Sequence, residues 1–354
     1  MKSLLKNLPI AELKFVYACF RALFEIGSEI RPKAKLLSLK LPFLNAIKHM
    51  NVATEKDLWN LNPTITQSGK IEIYYRKTTG ALFPKAKLNG ISRIDNASKS
   101  FKNAVMRLEL TEDMSISKQD TTIDLMDSPC LEDVRAITFN DRTLLVGTLV
   151  LTSSPNPWSS TVAVYDTVTK VTTELKSPNN RRIEKNWVPI EIKANILRLL
   201  YSSSPTHIVE VDLVTSEQKS SILDGTKTSE KPLNGGSQFV SLNNGNYLRV
   251  ARKRFPVIGM GRIHLNYFVH HDTNFMEISR SRPFVFRKLG FEICNGMRLE
   301  KNGDVYLTWA ENDREMFIAN CSTQNILDFI AANQNKHGIS FFQAFFLLKN
   351  SVRD

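Results

Sequence analysis

The sequence predicts an all-β chain, a five-bladed β-propeller with flanking N- and C-terminal helices. Three observations predict it: a strand-turn-strand unit recurs five times, each unit opens on polar residues at the same end, and helical spacing of apolar residues is confined to the two chain ends.

The five units are NPTITQSGKIEIYYRK (62–77), EDVRAITFNDRTLLVGTLV (132–150), EKNWVPIEIKANILRLLYSSSP (184–205), NGGSQFVSLNNGNYLRVARK (234–253) and ICNGMRLEKNGDVYLTWAEND (293–313). Each couples a short apolar strand to a second one through a turn, and Gly or Asn marks four of the turns. Third strands follow as TVAVYDT (161–167), HIVEVDL (207–213) and EMFIANCS (315–322). The units begin 50 to 70 residues apart, a spacing that suits four-stranded blades with variable outer loops. A β-sandwich has similar hairpins, but gives no reason for polar residues to recur at one end of every inner strand. In a propeller those ends converge on one mouth.

The ends of the chain read differently. Residues 10–30 follow Pro9, carry apolar residues at helical spacing and stop near Gly27; residues 325–349 read as one or two further helices broken near Gly338. The expected organisation is a helical segment over 1–55, the propeller with its site over 56–323, and a helical segment over 324–354. The apolar faces of these helices are expected to pack on the propeller, on each other, or on a second subunit as a homo-oligomer. The Lys-rich N-terminus supplies the alternative of peripheral membrane contact.

Composition narrows the function classes. With 354 residues and 42% hydrophobic content the chain can bury a large core. Its four cysteines, Cys19, Cys130, Cys294 and Cys321, form no CxxC pair, so neither a zinc site nor a disulfide framework is indicated, and a cytoplasmic, reducing location is expected. No signal peptide or membrane span is recognisable. The net charge of +12 is spread over separate clusters (RVARKRF, RSR, NNRRIEK) interleaved with strands. Without a zinc finger, an aromatic RNA-binding signature or a helix-turn-helix beside them, a solvated basic surface or an anionic substrate is expected, and not nucleic acid. There is no GxSxG elbow, P-loop or dinucleotide fingerprint, and no cofactor is called for. The adjacent His270 and His271 point to opposite faces of a strand, which argues against shared metal ligation.

Through residues 60–322 the chain resembles glycoside hydrolase family 130, the five-bladed propellers that include β-mannoside phosphorylases and mannosyltransferases. NPTITQSGKIEIYYR, EDVR, EKNWVP, NGG, ISRSRPF and the WAEND bend carry the resemblance. It implies that Asp133, in the counterpart of an EDPR motif, is the general acid that protonates the departing glycosidic oxygen. Val134 stands where that motif has Pro. Such an acid must hold a proton near neutrality, and a mouth shared with Glu132 would favour this; the competing reading is that Asp133 pairs with Arg135 to brace a blade. Asn62, Arg76 and Asp313 correspond to residues that hold the sugar beside the cleaved bond. Glu132, Arg135, Lys185, Asn186, His271 and Asp272 complete the expected substrate-binding set. The neighbourhoods that bind phosphate in the phosphorylases read GTLVLTSS and LLYSSSP here, without Arg or His, which disfavours phosphorolysis; Lys185, Arg252 and Arg254 are the nearest substitutes. A hydrolase would need a second carboxylate, roughly 6.5 to 9.5 Å from the first in an inverting enzyme, with Glu184, Asp272, Glu292 and Glu311 as candidates. The expected activity is cleavage or transfer of a glycosyl unit, β-mannosyl by the resemblance, from an oligosaccharide or glycoconjugate, hydrolysis or transfer being favoured over phosphorolysis. The alternative is a non-catalytic glycan- or protein-binding propeller.

Overall fold

A computed structural model describes residues 39–50, 61–67, 69–79, 102–123, 131–150, 159–223, 233–257 and 261–332. Within them twenty strands form five four-stranded antiparallel sheets. Four blades follow the chain in order. Blade one holds β2 (Thr64–Ile65), β3 (Ile71–Thr79), β4 (Lys102–Leu110) and β5 (Ile116–Ile123). Blade two holds β6 (Leu131–Phe139), β7 (Arg142–Val150), β8 (Ser160–Asp166) and β9 (Thr172–Leu175). Blade three holds β10 (Val188–Lys193), β11 (Ile196–Ser203), β12 (Thr206–Asp212) and β13 (Gln218–Ile222). Blade four holds β14 (Val240–Ser241), β15 (Tyr247–Val257), β16 (Gly261–His271) and β17 (Glu277–Arg280). The five repeats read from the sequence are the two inner strands of each blade.

The fifth blade is completed from the other end of the chain. Its strands β18 (Glu292–Leu299), β19 (Asp304–Glu311) and β20 (Glu315–Ser322) take β1 (Asn45–Met50) as the outermost strand, with His49 opposite Phe317 and Met50 opposite Met316. This corrects the expected boundary at residue 55: part of the segment assigned to helices is a propeller strand. The sequence reading missed it because an outer strand is half exposed and short, so NAIKHM lacks a clean alternation. The proposed helix at 10–30 lies outside the described residues. At the C-terminal end α1 (Thr323–Ala331) forms, capped by Ser322, whose side chain accepts from the Asn325 amide; the rest of the expected helical segment is also outside the described residues. No helix among the described residues is long and apolar enough to cross a membrane.

Five apolar clusters lie between consecutive blades and close the ring. Tyr74 and Val105 meet Val134, Leu145 and Tyr165 between blades one and two. Leu144 and Val164 meet Trp187, Leu199 and Val209 between two and three. Ile190 and Ile208 meet Phe239 and Phe275 between three and four. Val250 and Phe268 meet Met297 and Trp309 between four and five, where Ile326, Phe329 and Ile330 of α1 also pack. Met50, Met316 and Ile318 meet Ile65, Ile73 and Met106 between five and one. At about 25 cal/mol per Å² of apolar surface, burial of this kind is the main favourable contribution to the fold.

Candidate functional site

The antiparallel order within each blade sets which residues share the mouth. Inner strands β2, β6, β10, β14 and β18 begin there, second strands end there, and the β19–β20 bend lies there too. Asn62, Asp133, Asn186, Gly235, Asn295 and Asp313 therefore come from five blades to one opening of the channel.

Asp133 is aimed by a β-bulge. Opposite β7 the register of β6 shifts between Glu132 and Arg135, and Asp133 itself sits at φ +51°, a left-handed conformation that a non-glycine residue adopts only under local constraint. Its Oδ1 accepts a 2.7 Å hydrogen bond from Asn62 Nδ2. The brace anticipated between Asp133 and Arg135 takes a different form: Arg135 Nη1 donates to the Asp133 backbone oxygen at 3.0 Å, leaving the carboxylate in the mouth. Glu132 does not share its charge with Asp133 either, because Arg76 Nη2 holds its Oε1 at 2.6 Å.

A second bulge, between Cys294 and Gly296 in β18, turns Asn295 inward. Arg135, fully buried, donates Nη2 to Asn295 Oδ1 at 3.3 Å and Nε to the Gly236 carbonyl at 2.6 Å. Burial pushes the Arg135 guanidinium down to about 9, with neighbouring Arg252 adding to the shift and Asp133 opposing it. Thr64 Oγ1 ties three blades together, donating to the Asn295 carbonyl and accepting from the Ala136 amide. The Gly235–Gly236 turn, at φ +47° and +105°, lets the backbone run against Arg135 and Asn186, and a Cβ on Gly236 would collide with the Val250 carbonyl.

The opening bend of the last hairpin is a type I′ turn. Asn312 and Asp313 both have positive φ (51° and 57°), and Arg314 N donates to Glu311 O at 2.9 Å. Backbone bonds from Leu61 N to Asp313 O and from Asn312 N to Phe291 O fix the bend on both sides. Asp313 and Asp133 both lie in the field of Arg252, whose pKa burial pushes down while the two carboxylates oppose the shift.

Arg252 projects from β15, opposite Asn266 of β16, and donates Nη2 to Asn186 Oδ1 at 3.3 Å. Neither Asn266 nor Asn295 belonged to the predicted set. Both are hidden inside apolar runs, although the Asn-Gly pair at 295–296 is a local irregularity that a strand reading could have flagged. Lys185, next to Asn186, is exposed.

The backbone of His271 and Asp272 ends the third strand of blade four, opposite Tyr247, five residues along β15 from Arg252, or about 16 Å at ~3.3 Å per residue, while the Arg249 guanidinium links the His271 ring to the Gly235 carbonyl. Asp272 Oδ1 caps its own turn by accepting from Asn274 N and Met276 N. His271 is buried between Arg249 Nε, at 3.1 Å, and the Phe275 carbonyl, at 2.9 Å. The remaining carboxylates considered as a base are engaged as well. Glu184 accepts from Ser177, Trp187 and Tyr201; Glu292 accepts the backbone amides of Phe286, Arg287 and Lys288; Glu311 pairs with Arg287.

Among the described residues, Asn62 Oδ1, Arg249 Nη2, Arg252 Nη1, Asn295 Nδ2 and both amide atoms of Asn266 are buried without a protein hydrogen-bond partner. Native interiors leave few such groups.

These features define a five-bladed propeller with a cluster of polar residues at one end of its channel. The fold is shared with solved carbohydrate-active enzymes. A β-1,2-mannobiose phosphorylase from Listeria innocua, in complex with β-1,2-mannobiose, matches at TM-score 0.54 and 11% identity over 86% of this chain and 99% of that one. A glycosyl hydrolase from Bacteroides ovatus matches at TM-score 0.53 and 13% identity over 83% and 93%. A GDP-Man-dependent mannosyltransferase from Leishmania mexicana matches at TM-score 0.50 and 12% identity over 79% and 90%. At these identities the likeness is one of fold. No protein-family model matches the sequence, and no curated protein matches it.

Proposed function

We propose that the chain is a carbohydrate-active enzyme that cleaves or transfers a glycosyl unit, β-mannosyl by its resemblance, with Asp133 as the general acid. The observation that carries this reading is the setting of Asp133, a carboxylate on a positive-φ bulge of β6 at the end of the channel, hydrogen-bonded by Asn62 of the neighbouring blade. Short amides and carboxylates of this kind suit the paired hydroxyls of a sugar, which donate and accept at once. Asp133, held on a strained bulge by Asn62, is presented to that sugar. Solved enzymes of this fold that act on mannosides support the sugar class.

Between the two favoured modes, transfer fits better than hydrolysis. Glu184, Glu292, Glu311 and Asp272 are each committed to structural hydrogen bonds, and Glu132 is paired with Arg76, so none of them is poised to activate water. The test is product analysis after incubating the protein with β-mannosides and related oligosaccharides, with and without phosphate and with nucleotide-sugar donors, beside Asp133→Asn. An extended glycan is expected, with the rate falling by about 10²- to 10⁴-fold in Asp133→Asn while ligand binding persists. Binding of glycans by both proteins with no product from either would show a non-catalytic propeller instead.

A further inference from the structure

Outside the cluster around Asp133, one buried network leads to the foot of the Asp313 bend. Glu292 and Glu311 are direct partners across β18 and β19, and both are almost fully buried. Like charges placed opposite one another in a sheet repel, so each carboxylate needs partners of its own. Glu292 takes backbone. Its Oε2 accepts from Phe286 N at 2.7 Å, and its Oε1 accepts from Arg287 N at 2.8 Å and Lys288 N at 3.0 Å. Three consecutive amides of the segment between β17 and β18 thus close on one carboxyl group. Glu311 takes a side chain of that same segment: Arg287 Nη1 lies 3.3 Å from both of its oxygens. The Arg287 guanidinium rests over the Phe317 ring, 4.1 Å from its centre, and Phe286 stacks on Trp309 at 4.6 Å. Glu311 immediately precedes Asn312 and Asp313, and Asn312 N donates to the carbonyl of Phe291, the neighbour of Glu292. The bend is therefore tied twice to this part of blade five, through Phe291 and through Arg287.

We infer that Glu292 is a positioning residue for Asp313: it shapes the 286–288 segment so that Arg287 clamps Glu311 at the foot of the bend. A carboxyl group suits this task because both of its oxygens accept. Glutamine would meet the three N–H groups with one oxygen and turn a further donor toward them. A purely structural brace would stabilise blade five without acting through Arg287, whose side chain is 32% exposed. Its meaning for a reaction rests on the proposed glycosyl chemistry, in which Asp313 holds the sugar; the coupling of segment and bend does not.

Hydrogen exchange of the full-length protein, read by mass spectrometry with the amides of blade three as the folded reference, tests the coupling. In Glu292→Gln the amides of 286–288 and of 312–314 should both exchange at least about tenfold faster than in the parent, whereas in Arg287→Met only those of 312–314 should do so. Should Glu292→Gln fail to fold, Glu292→Asp, which keeps both oxygens but draws them back, takes its place with the same expectation. Unchanged exchange at 312–314 in either folded variant overturns the coupling. Glycoside turnover gives the second readout. Both variants should raise KM by about tenfold or more with kcat changed by less than about threefold, because the sugar-holding Asp313 is displaced while the acid Asp133 is not. A fall in kcat with KM unchanged overturns the assignment to Asp313. Faster exchange at the bend with no glycoside processed by the parent would keep the positioning role and remove the enzymatic reading. Glycoside turnover with exchange at the bend unchanged would do the reverse.

Discussion

Single residues in this propeller are held by backbone conformation as much as by side-chain contacts. Asp133 and Asp313 both take left-handed φ, the first on a bulge and the second in a type I′ bend, and in each case neighbouring backbone bonds impose the conformation. Gly236 is the strictest position, because its φ of +105° and its contact with the Val250 carbonyl leave no room for Cβ. Gly236→Ala should therefore destabilise the fold by several kcal/mol, whereas Gly303→Ala, at φ +89° with open space around it, should cost only about 1 kcal/mol; urea unfolding of the two variants checks the contrast. Glu292 makes a pH-dependent contribution. Burial pushes its carboxyl up to about 7, outweighing the three backbone amides that favour the charged form. Because the folded value lies above the ordinary one near 4.5, the folded state binds the extra proton between those limits. Stability contributed by this group is then fully present below about 4.5 and is lost as pH rises to about 7, by roughly 3 kcal/mol at most. Melting temperatures across that window should fall less steeply for Glu292→Gln than for the parent protein; parallel slopes would show that the group does not titrate there.

At the scale of elements, the hairpins carry the site and the outer strands carry the closure. Bulges in β6 and β18 turn Asp133 and Asn295 inward, while Gln238 reaches from blade four to the Ile65 and Met297 carbonyls of blades one and five. These cross-blade bonds fix the relative placement of side chains that are distant in sequence. Strand β1 does the same for the ring, joining the start of the described chain to its last blade. Met50 of β1 is buried against blade one, so Met50→Ala should cost about 2–4 kcal/mol in denaturant unfolding. A change below about 0.5 kcal/mol would show that β1 contributes little to the closure. Strand direction also decides what is absent from the mouth. The third strand of a blade starts at the mouth and ends away from it, which carries the backbone of His271 and Asp272 to the other end.

For the whole molecule, the ring geometry converts five modest hairpins into one enclosed site. The overall surplus of +12 says little about function, because its clusters are spread over separate strands. The five repeats, their polar starts and the motif around Asp133 were legible in the sequence because strand alternation and turn residues are local signals. Asn62, Asp133 and Asp313 were singled out by the family resemblance, and the repeat placed them at the same end of their blades. Three things could not be read locally. The closing strand β1 is recognised only by its partner β20, more than 260 residues away in the chain. Asn266 and Asn295 look like interruptions of apolar strands until blades four and five are packed together. The bond from Arg252 to Asn186 joins two neighbouring blades and exists only once they are packed side by side. Sequence by itself determined the repeat, and with it the architecture, because periodicity and turn chemistry act over a few residues; Asp133 became a candidate only through the resemblance of EDVR to a family motif. Only the tertiary structure decided which polar groups meet and which are left without a partner, because those contacts form between strands brought together by the closure of the ring.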